Sequence, residues 1–196
     1  MSVFRLGLTG SIGMGKSTTA ALFAAEGLPV WDADAAVHRL YSTGGAAVEP
    51  VAHLCPVALR DGQIDRAALR NWIESDPSAL PRLEAVVHPL VAADRDGFAA
   101  QCDTDIAVFD IPLLFEKGTE AQMDATLLVT APKILQRQRV LARPGMTDAQ
   151  LALLLARQMP DAEKRARATH IVETLTIDQT RAYVLALIDH LRGSHA

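Results

Sequence analysis

A glycine-rich segment near the N-terminus carries residues suited to binding phosphate. Its sequence, GSIGMGKS at positions 10–17, matches the pattern G-x-x-x-x-G-K-[ST] at each fixed position. In such a loop, glycines let backbone N–H groups face phosphate oxygens, and the helix that follows adds the positive end of its dipole. The lysine reaches the β- and γ-phosphates, and the serine hydroxyl binds Mg²⁺. The predicted phosphate-binding residues are Gly10, Ser11, Ile12, Gly13, Met14, Gly15, Lys16, Ser17 and Thr18.

Three aspartates lie where a parallel sheet would gather its ligands. Asp32 and Asp34 end the second predicted strand, at the carboxyl edge where doubly wound sheets bind ligands. Phosphoryl transfer to a hydroxyl needs a carboxylate that orients the hydroxyl and takes its proton. Beside a phosphate loop we favour Asp34 for that role over the alternative, an N-cap of a helix over 35–42. Asp110 ends another strand, and two roles stay open for it: a metal ligand acting through water, or a strand-end cap.

Arginines are concentrated in one region of the chain. Residues 137–167 contain Arg137, Arg139, Arg143, Arg157, Arg165 and Arg167. Guanidinium groups suit bidentate phosphate binding, and a lid that brings them over a phosphoryl group would exclude water. The segment ARPGMT is typical of the hinge or tip of such a lid. Arg143 is the leading candidate and Arg137 the next. Arg139 and Arg157 are predicted to lie on a solvated helix face.

The candidate residues need a sheet that brings their loops to one edge. Apolar runs predict strands over 3–10, 28–34, 124–131 and 169–174, and one in the segment 105–116 whose apolar run ends at Asp110. Helical spacing predicts helices over 16–27, 35–42, 132–143, 147–158 and 176–192. Pro132 is expected at the first helical position, and Thr147 or Asp148 as a cap. Residues 45–101 show helical spacing with turn breaks and no good strand, which indicates an inserted helical lobe. The alternation predicts an α/β fold with three α/β/α layers.

Bulk properties narrow the class of protein. A chain of 196 residues suits one domain with a small inserted lobe. A net charge of −4 and an aromatic content of 5% disfavour nucleic-acid binding. Cys55 and Cys102 form no disulfide framework or metal motif. No apolar run approaches the roughly 20 residues that cross a bilayer, and the N-terminus lacks a signal peptide. We therefore expect a cytoplasmic protein with no membrane and no nucleic-acid partner.

Missing motifs exclude several classes of phosphate-loop protein. A GTPase would carry N-K-x-D, but the chain's one asparagine, Asn71, precedes Trp72. The L-S-G-G-Q signature of transporter ATPases is absent, and the chain is too short for a two-lobed helicase. Small-molecule kinases remain, in which a second substrate faces the γ-phosphate.

Five segments, in order, resemble the dephospho-CoA kinase family. They are GLTGSIGMGKST, VWDAD, DGQIDRAALR, LEAVVHPLV and DIPLLFE, and the similarity extends from residue 6 to about 167. The resemblance implies a P-loop kinase fold and transfer of phosphate from ATP, with Mg²⁺, to the ribose 3′-hydroxyl of dephospho-CoA. It implies that Asp34 is the catalytic base, and Arg143 also matches a family arginine. It implies an acceptor site that includes His88, Pro112, Leu113, Leu114, Phe115 and Glu116.

Some of these assignments have structural alternatives. Without the resemblance, PLLF is either a plug in the core or an apolar wall for a ligand, and a lone His88 is more often structural. Pro89 is expected to stiffen a turn after His88. The chain also departs from the family pattern at Ser11 and Met14, whose side chains we expect to be free to vary because backbone amides form the cradle. A further departure lies near 169–175, where the adenine is expected.

These observations define one hypothesis and two alternatives. We predict a single P-loop kinase over 1–196. Its core would be 1–44, 103–135 and 168–196, with an acceptor (CoA) lobe at 45–102 and a lid at 136–167. The protein would phosphorylate dephospho-CoA as a monomer, with an oligomer left open. The alternatives are a kinase for another small acceptor, such as a nucleoside monophosphate, and a nucleotide-binding regulatory ATPase.

Overall fold

A five-stranded parallel sheet forms the centre of the fold, as the sequence predicts. A computed structural model describes residues 3–195; Met1, Ser2 and Ala196, at the ends of the predicted core, lie outside the described residues. The sheet order is β2-β5-β1-β6-β7, and β3 and β4 form a separate hairpin. In chain order the strands are β1 (Phe4–Thr9), β2 (Val30–Asp32), β3 (Leu59–Arg60), β4 (Gln63–Ile64), β5 (Ile106–Asp110), β6 (Ala125–Thr130) and β7 (His170–Glu173).

Helices follow most strands, in the alternation expected of this fold class. They are α1 (Lys16–Ala25), α2 (Ala33–Tyr41), α3 (Val48–Leu54), α4 (Arg66–Ser75), α5 (Ala79–Gln101), α6 (Lys133–Leu141), α7 (Asp148–Ala156), α8 (Asp161–Arg167) and α9 (Ile177–His195). Pro132 is the N-cap of α6 and not its first helical residue, so that expectation was wrong by one position. Helix α8 was not predicted. Within the described residues, no helix is both long and apolar enough to cross a membrane.

The central strands explain why the loop at the end of β1 reaches the functional edge. Every residue of β5 and β6 is buried, as expected for parallel strands with both faces covered. Strand β1 lies between them, with Leu6 opposite Val108 on one side and Ala125 on the other. The chain that leaves Thr9 therefore emerges beside the carboxyl ends of β5 and β6.

The chain divides into two compact units. One comprises the chain up to Trp31 together with Cys102 onwards, and its core contains Leu6, Phe23, Val108 and Val184. The other is the continuous segment Asp32–Gln101, which begins ahead of the acceptor lobe predicted at 45–102.

The unit Asp32–Gln101 has its own hydrophobic core. Residues of α2 to α5 and of the hairpin pack together there: Leu40, Val51, Ile64, Leu69, Leu83 and Val87. Two expectations for this unit were wrong. The hairpin β3–β4 lies in a region where no strand was predicted. Helix α5 continues through Pro89, so His88 and Pro89 lie in a helix and not in a turn.

Candidate functional site

The phosphate loop has a backbone conformation that requires glycine at two positions. Gly13 has φ 76° and Gly15 has φ 94°, both in the left-handed region. A Cβ on Gly15 would lie 2.8 Å from Thr174 Oγ1, and one on Gly13 would lie 2.5 Å from a methyl of Val140. Both glycines are therefore needed for the backbone angle and for the close approach of neighbouring elements.

The start of α1 presents donors suited to phosphate. Gly15 is its N-cap and supplies no side-chain hydrogen bond. The N–H groups of the first helical turn have no carbonyl partner within the helix, and the helix dipole adds positive potential there. Ser17 and Thr18 are exposed in this turn. An anion bound here would accept hydrogen bonds from these backbone N–H groups, which no side chain caps.

Two loop side chains are not free to vary, contrary to our expectation. Met14 is buried, and its Sδ accepts a hydrogen bond of 3.0 Å from the backbone N–H of Ala131. Ser11 is also buried. Neither residue has a positive φ, so the loop tolerates side chains there. The expectation failed because the loop motif indicates which backbone groups face the phosphates. It gives no information about the side chains on the other face, which packs at the end of β6.

Lys16 and Asp110 form an ion pair beneath the loop. The Nζ atom of Lys16 donates to the carboxylate of Asp110, which is buried at the end of β5. This contact places Asp110 beside the last residues of the phosphate loop. The described residues contain no cluster of three or more His, Cys, Asp or Glu that could hold a metal by itself. Mg²⁺ usually binds one or two protein oxygens together with substrate phosphates, and the Ser17 hydroxyl and Asp110 fit that donor set.

A pocket of about 350 Å³ lies beside the phosphate loop. Its lining includes Gly13, Thr18, Ile177 and two arginines of the predicted lid, Arg139 and Arg143. Arg143 is exposed, and its guanidinium makes no hydrogen bond or ion pair with a described residue. Its guanidinium is therefore available to a ligand in this pocket.

Arg139 does not lie on a solvated face, so that expectation was wrong. Its guanidinium donates to Thr174 Oγ1 at 2.9 Å and to the Thr174 carbonyl at 2.6 Å. The Thr174 hydroxyl in turn donates to the Met14 carbonyl at 2.7 Å, which links Arg139 to the loop. Arg137, our second lid candidate, instead forms a bidentate pair with exposed Asp148. Spacing along α6 could not distinguish these arginines, because the partner of Arg139 is 35 residues away.

Asp34 lies in the first turn of α2, within the unit Asp32–Gln101. The N-cap of this helix is Asp32, whose carboxylate accepts from the Ala35 N–H at 2.9 Å. The alternative role of Asp34 as the cap is therefore wrong. The Asp34 side chain is exposed, and its carboxylate has no hydrogen bond or ion pair with a described residue, which leaves its oxygens available to a substrate.

The segment after β5 is divided between core and surface. Leu114 and Phe115 are buried, so in this conformation they plug the core, whereas Pro112 and Leu113 are half-buried. Glu116 Oε1 lies 2.9 Å from Nζ of fully buried Lys164. The same oxygen accepts a hydrogen bond of 2.8 Å from the Met159 N–H. Burial opposes the charged form of Glu116, but the Lys164 ammonium and the N–H outweigh it and hold its pKa below the usual value.

His88 lies on an exposed face of α5. Its Nε2 is 3.9 Å from Glu84 Oε1, one helical turn earlier, and about half of its side chain is accessible. An exposed imidazole with a distant carboxylate contributes little to stability. It is accessible to a ligand.

The parallel sheet, the glycine-rich loop before α1 and the lysine–aspartate pair define a P-loop small-molecule kinase. The family model for dephospho-CoA kinase matches residues 4–178. A protein named dephospho-CoA kinase from Cereibacter sphaeroides is 71% identical over 98% of both chains. The chain therefore belongs to the dephospho-CoA kinase family.

Solved structures show the same fold. The crystal structure of TT1252 from Thermus thermophilus has a TM-score of 0.84 and 39% identity, over 96% of this chain and 98% of that one. A shikimate kinase from Bacteroides thetaiotaomicron has a TM-score of 0.54 at 16% identity, over 96% of this chain and 98% of that one. The second comparison supports the fold alone. The predictions of fold and family are confirmed.

Proposed function

We propose that this protein transfers the γ-phosphoryl group of ATP to the ribose 3′-hydroxyl of dephospho-CoA, giving coenzyme A and ADP. The observation that carries the proposal is the phosphate loop followed by helix α1, which begins at Lys16 and whose N-terminus has no side-chain cap. The chain that contains it belongs to the dephospho-CoA kinase family. The two cysteines are free thiols. We further propose a monomer in the cytoplasm, with no nucleic-acid or membrane partner.

Residues of the loop would bind and orient the phosphates of ATP. Backbone N–H groups of Gly13 and of Gly15 to Thr18 would donate to phosphate oxygens, and the Lys16 ammonium would neutralise charge on the β- and γ-phosphates. Lys16 is now paired with Asp110, so binding ATP would exchange one anionic partner for another. Mg²⁺ held by Ser17, and by Asp110 through water, would supply further neutralisation of phosphate charge.

Residues outside the loop would act on the acceptor and on the transferred group. Asp34 would accept the proton of the 3′-hydroxyl as the oxygen attacks phosphorus. Arg143 would stabilise charge on the transferring phosphoryl oxygens from the pocket that it lines. His88 and the segment Pro112–Glu116 stay predictions for the acceptor site, with half-buried Pro112 and Leu113 the accessible apolar members.

An acceptor panel tests the proposal. ADP release would be measured with dephospho-CoA, nucleoside monophosphates and no acceptor, each with ATP and Mg²⁺. We expect turnover that depends on dephospho-CoA. Turnover with a nucleotide but none with dephospho-CoA would refute the proposed acceptor. Slow ADP release that no acceptor accelerates would indicate a regulatory ATPase instead.

A further inference from the structure

Two glutamine side chains hold the peptide groups of Ile12, at the apex of the phosphate loop. Gln136 Nε2 donates to the Ile12 carbonyl at 2.8 Å. Gln158 Oε1 accepts from the Ile12 N–H at 3.2 Å. A backbone N–H can only donate and a carbonyl can only accept, so these contacts fix the orientation of both side-chain amides.

The two glutamines come from different parts of the predicted lid. Gln136 is a buried residue of α6, and this helix packs directly on the loop: a Cβ on Gly13 would lie 3.0 Å from the Gln136 carbonyl. Gln158 lies in the turn between α7 and α8 and is half-buried. The apex of the loop is therefore held by side chains that are distant from it in sequence.

The backbone next to Gln158 is held by a hydrogen bond to Glu116. The next residue, Met159, donates its backbone N–H to Glu116 Oε1 at 2.8 Å. Glu116 is in turn paired with Lys164, whose side chain is fully buried in α8. A continuous set of contacts thus runs from the Glu116–Lys164 pair through the backbone at Met159 to the side chain of Gln158 and on to Ile12.

We propose that Gln158 is a positioning residue for the phosphate loop: its amide oxygen holds the Ile12 N–H and keeps the loop apex in the conformation that binds the phosphates of ATP. The Glu116–Lys164 pair supports this role by fixing the backbone beside Gln158. The inference rests on the proposed use of ATP, but not on the identity of the acceptor.

The effect of Gln158 on affinity follows from preorganisation. Without the contact, the loop samples other conformations, and the apparent Kd rises in inverse proportion to the fraction that can bind. One neutral hydrogen bond contributes about 0.5–1.5 kcal/mol. The Kd for ATP should therefore rise by roughly two- to tenfold when the contact is lost.

The test compares Gln158→Met with Gln138→Met. Methionine has a similar length and helix propensity but cannot replace the amide oxygen. Gln138 is exposed on α6 and has no side-chain hydrogen bond to a described residue, so it is a matched control. The readouts are the Kd for ATP without acceptor, and the KM for each substrate. We expect a higher Kd and KM for ATP in Gln158→Met, an unchanged KM for dephospho-CoA, and wild-type values in Gln138→Met.

A second variant keeps the test decisive if the first folds poorly. Gln158→Asn stays polar but is one methylene too short to reach Ile12, so it should weaken ATP binding in the same way. A general loss of folding would instead reduce the active fraction and leave KM unchanged. An unchanged Kd for ATP in both folded Gln158 variants would overturn the inference. If the wild type binds ATP but does not use dephospho-CoA, the proposed acceptor fails while this measurement still holds.

Discussion

At the scale of single residues, Asp34 combines an exposed carboxylate with the absence of a partner among the described residues. We expect Asp34→Asn to lower kcat by about 10²–10⁴-fold, the usual contribution of a general base, because an amide cannot accept the proton. The Kd for ATP should stay near the wild-type value. Steady-state kinetics and nucleotide binding check both statements.

Glu49→Gln is the matched control for Asp34→Asn. Glu49 is also an exposed carboxylate in the first turn of a helix of the same unit, α3. Both changes remove one favourable charge from a helix N-terminus, which costs about 0.3–1 kcal/mol of stability. Only Asp34→Asn should reduce kcat. An equal loss in both variants, or retained turnover in Asp34→Asn, would remove Asp34 from the role of base.

Arg143 lines the pocket beside the loop, and its side chain has no partner among the described residues. We expect Arg143→Ala to lower kcat by as much as roughly 10³-fold, the lower range for an arginine that stabilises a transferring phosphoryl group. Arg157→Ala should retain activity, because Arg157 is exposed and does not line the pocket. Comparing the kcat values of the two variants tests whether Arg143 stabilises the transferring phosphoryl group. Equal kcat values would show that Arg143, like Arg157, has no role in the reaction.

The sequence displays the residues of the phosphate-loop pattern but not the residues that pack against that loop. Lys16 and Gly15 stand in a local pattern whose chemistry depends on spacing alone. Arg139, Gln136 and Gln158 act through contacts with residues far along the chain, and their neighbours in sequence carry no sign of those contacts. Their roles can be recognised only in the folded structure, where the elements that carry them lie against the loop.

At the scale of elements, α8 is held to the segment after β5 by the buried Lys164–Glu116 pair. We expect Lys164→Met to cost about 3 kcal/mol of unfolding free energy at pH 7, because it leaves the Glu116 carboxylate in a site with little water. The folded-state pKa of Glu116 is lowered, so protonation favours the unfolded chain. The stabilisation is complete above the usual glutamate pKa of about 4.3 and is lost as the pH falls through the lowered value.

Urea denaturation at several pH values checks this expectation. The difference between wild type and Lys164→Met should be largest near pH 7 and should shrink as the pH falls below about 4.3, where Glu116 of the unfolded chain takes up a proton while that of the folded wild type is still ionised. Lys133→Met, which removes an exposed lysine at the start of α6, should be near neutral. A double variant that adds Glu116→Gln to Lys164→Met should regain part of the loss. A pH-independent difference would argue against the pair as its cause.

The turn of the hairpin β3–β4 has a recognisable signal in the sequence. Asp61 and Gly62 both have positive φ, 48° and 75°. The dipeptide Asp-Gly between short apolar segments is among the strongest hairpin signals. The strands themselves give no signal, because each has only two residues, too few to show alternation of apolar and polar positions.

At the scale of the whole molecule, each compact unit contains one tryptophan. Trp31 is buried in the unit that carries the phosphate loop, and Trp72 packs against the core of the unit Asp32–Gln101. We expect saturating ATP to raise the urea midpoint reported by Trp31 more than the midpoint reported by Trp72. A ligand at one hundred times its Kd stabilises the state that binds it by about 2.7 kcal/mol.

Single-tryptophan variants separate the two signals. Trp72→Phe leaves Trp31 as the reporter, and Trp31→Phe leaves Trp72. Fluorescence is followed through urea unfolding with and without ATP. Coincident midpoints that ATP shifts equally in both variants would show that the chain unfolds as one cooperative body, contrary to our expectation.

The position of β1 in the middle of the sheet has a consequence during synthesis on the ribosome. Phe4 pairs with Ile106, so β1 must wait for about a hundred further residues before its neighbour β5 is synthesised. At about 5–20 residues per second, that delay is roughly 5–20 s. The continuous unit Asp32–Gln101 emerges entirely within this interval. Its local contacts can form cotranslationally while β1, with its apolar residues Leu6 and Leu8, remains an unpaired segment for chaperones to protect.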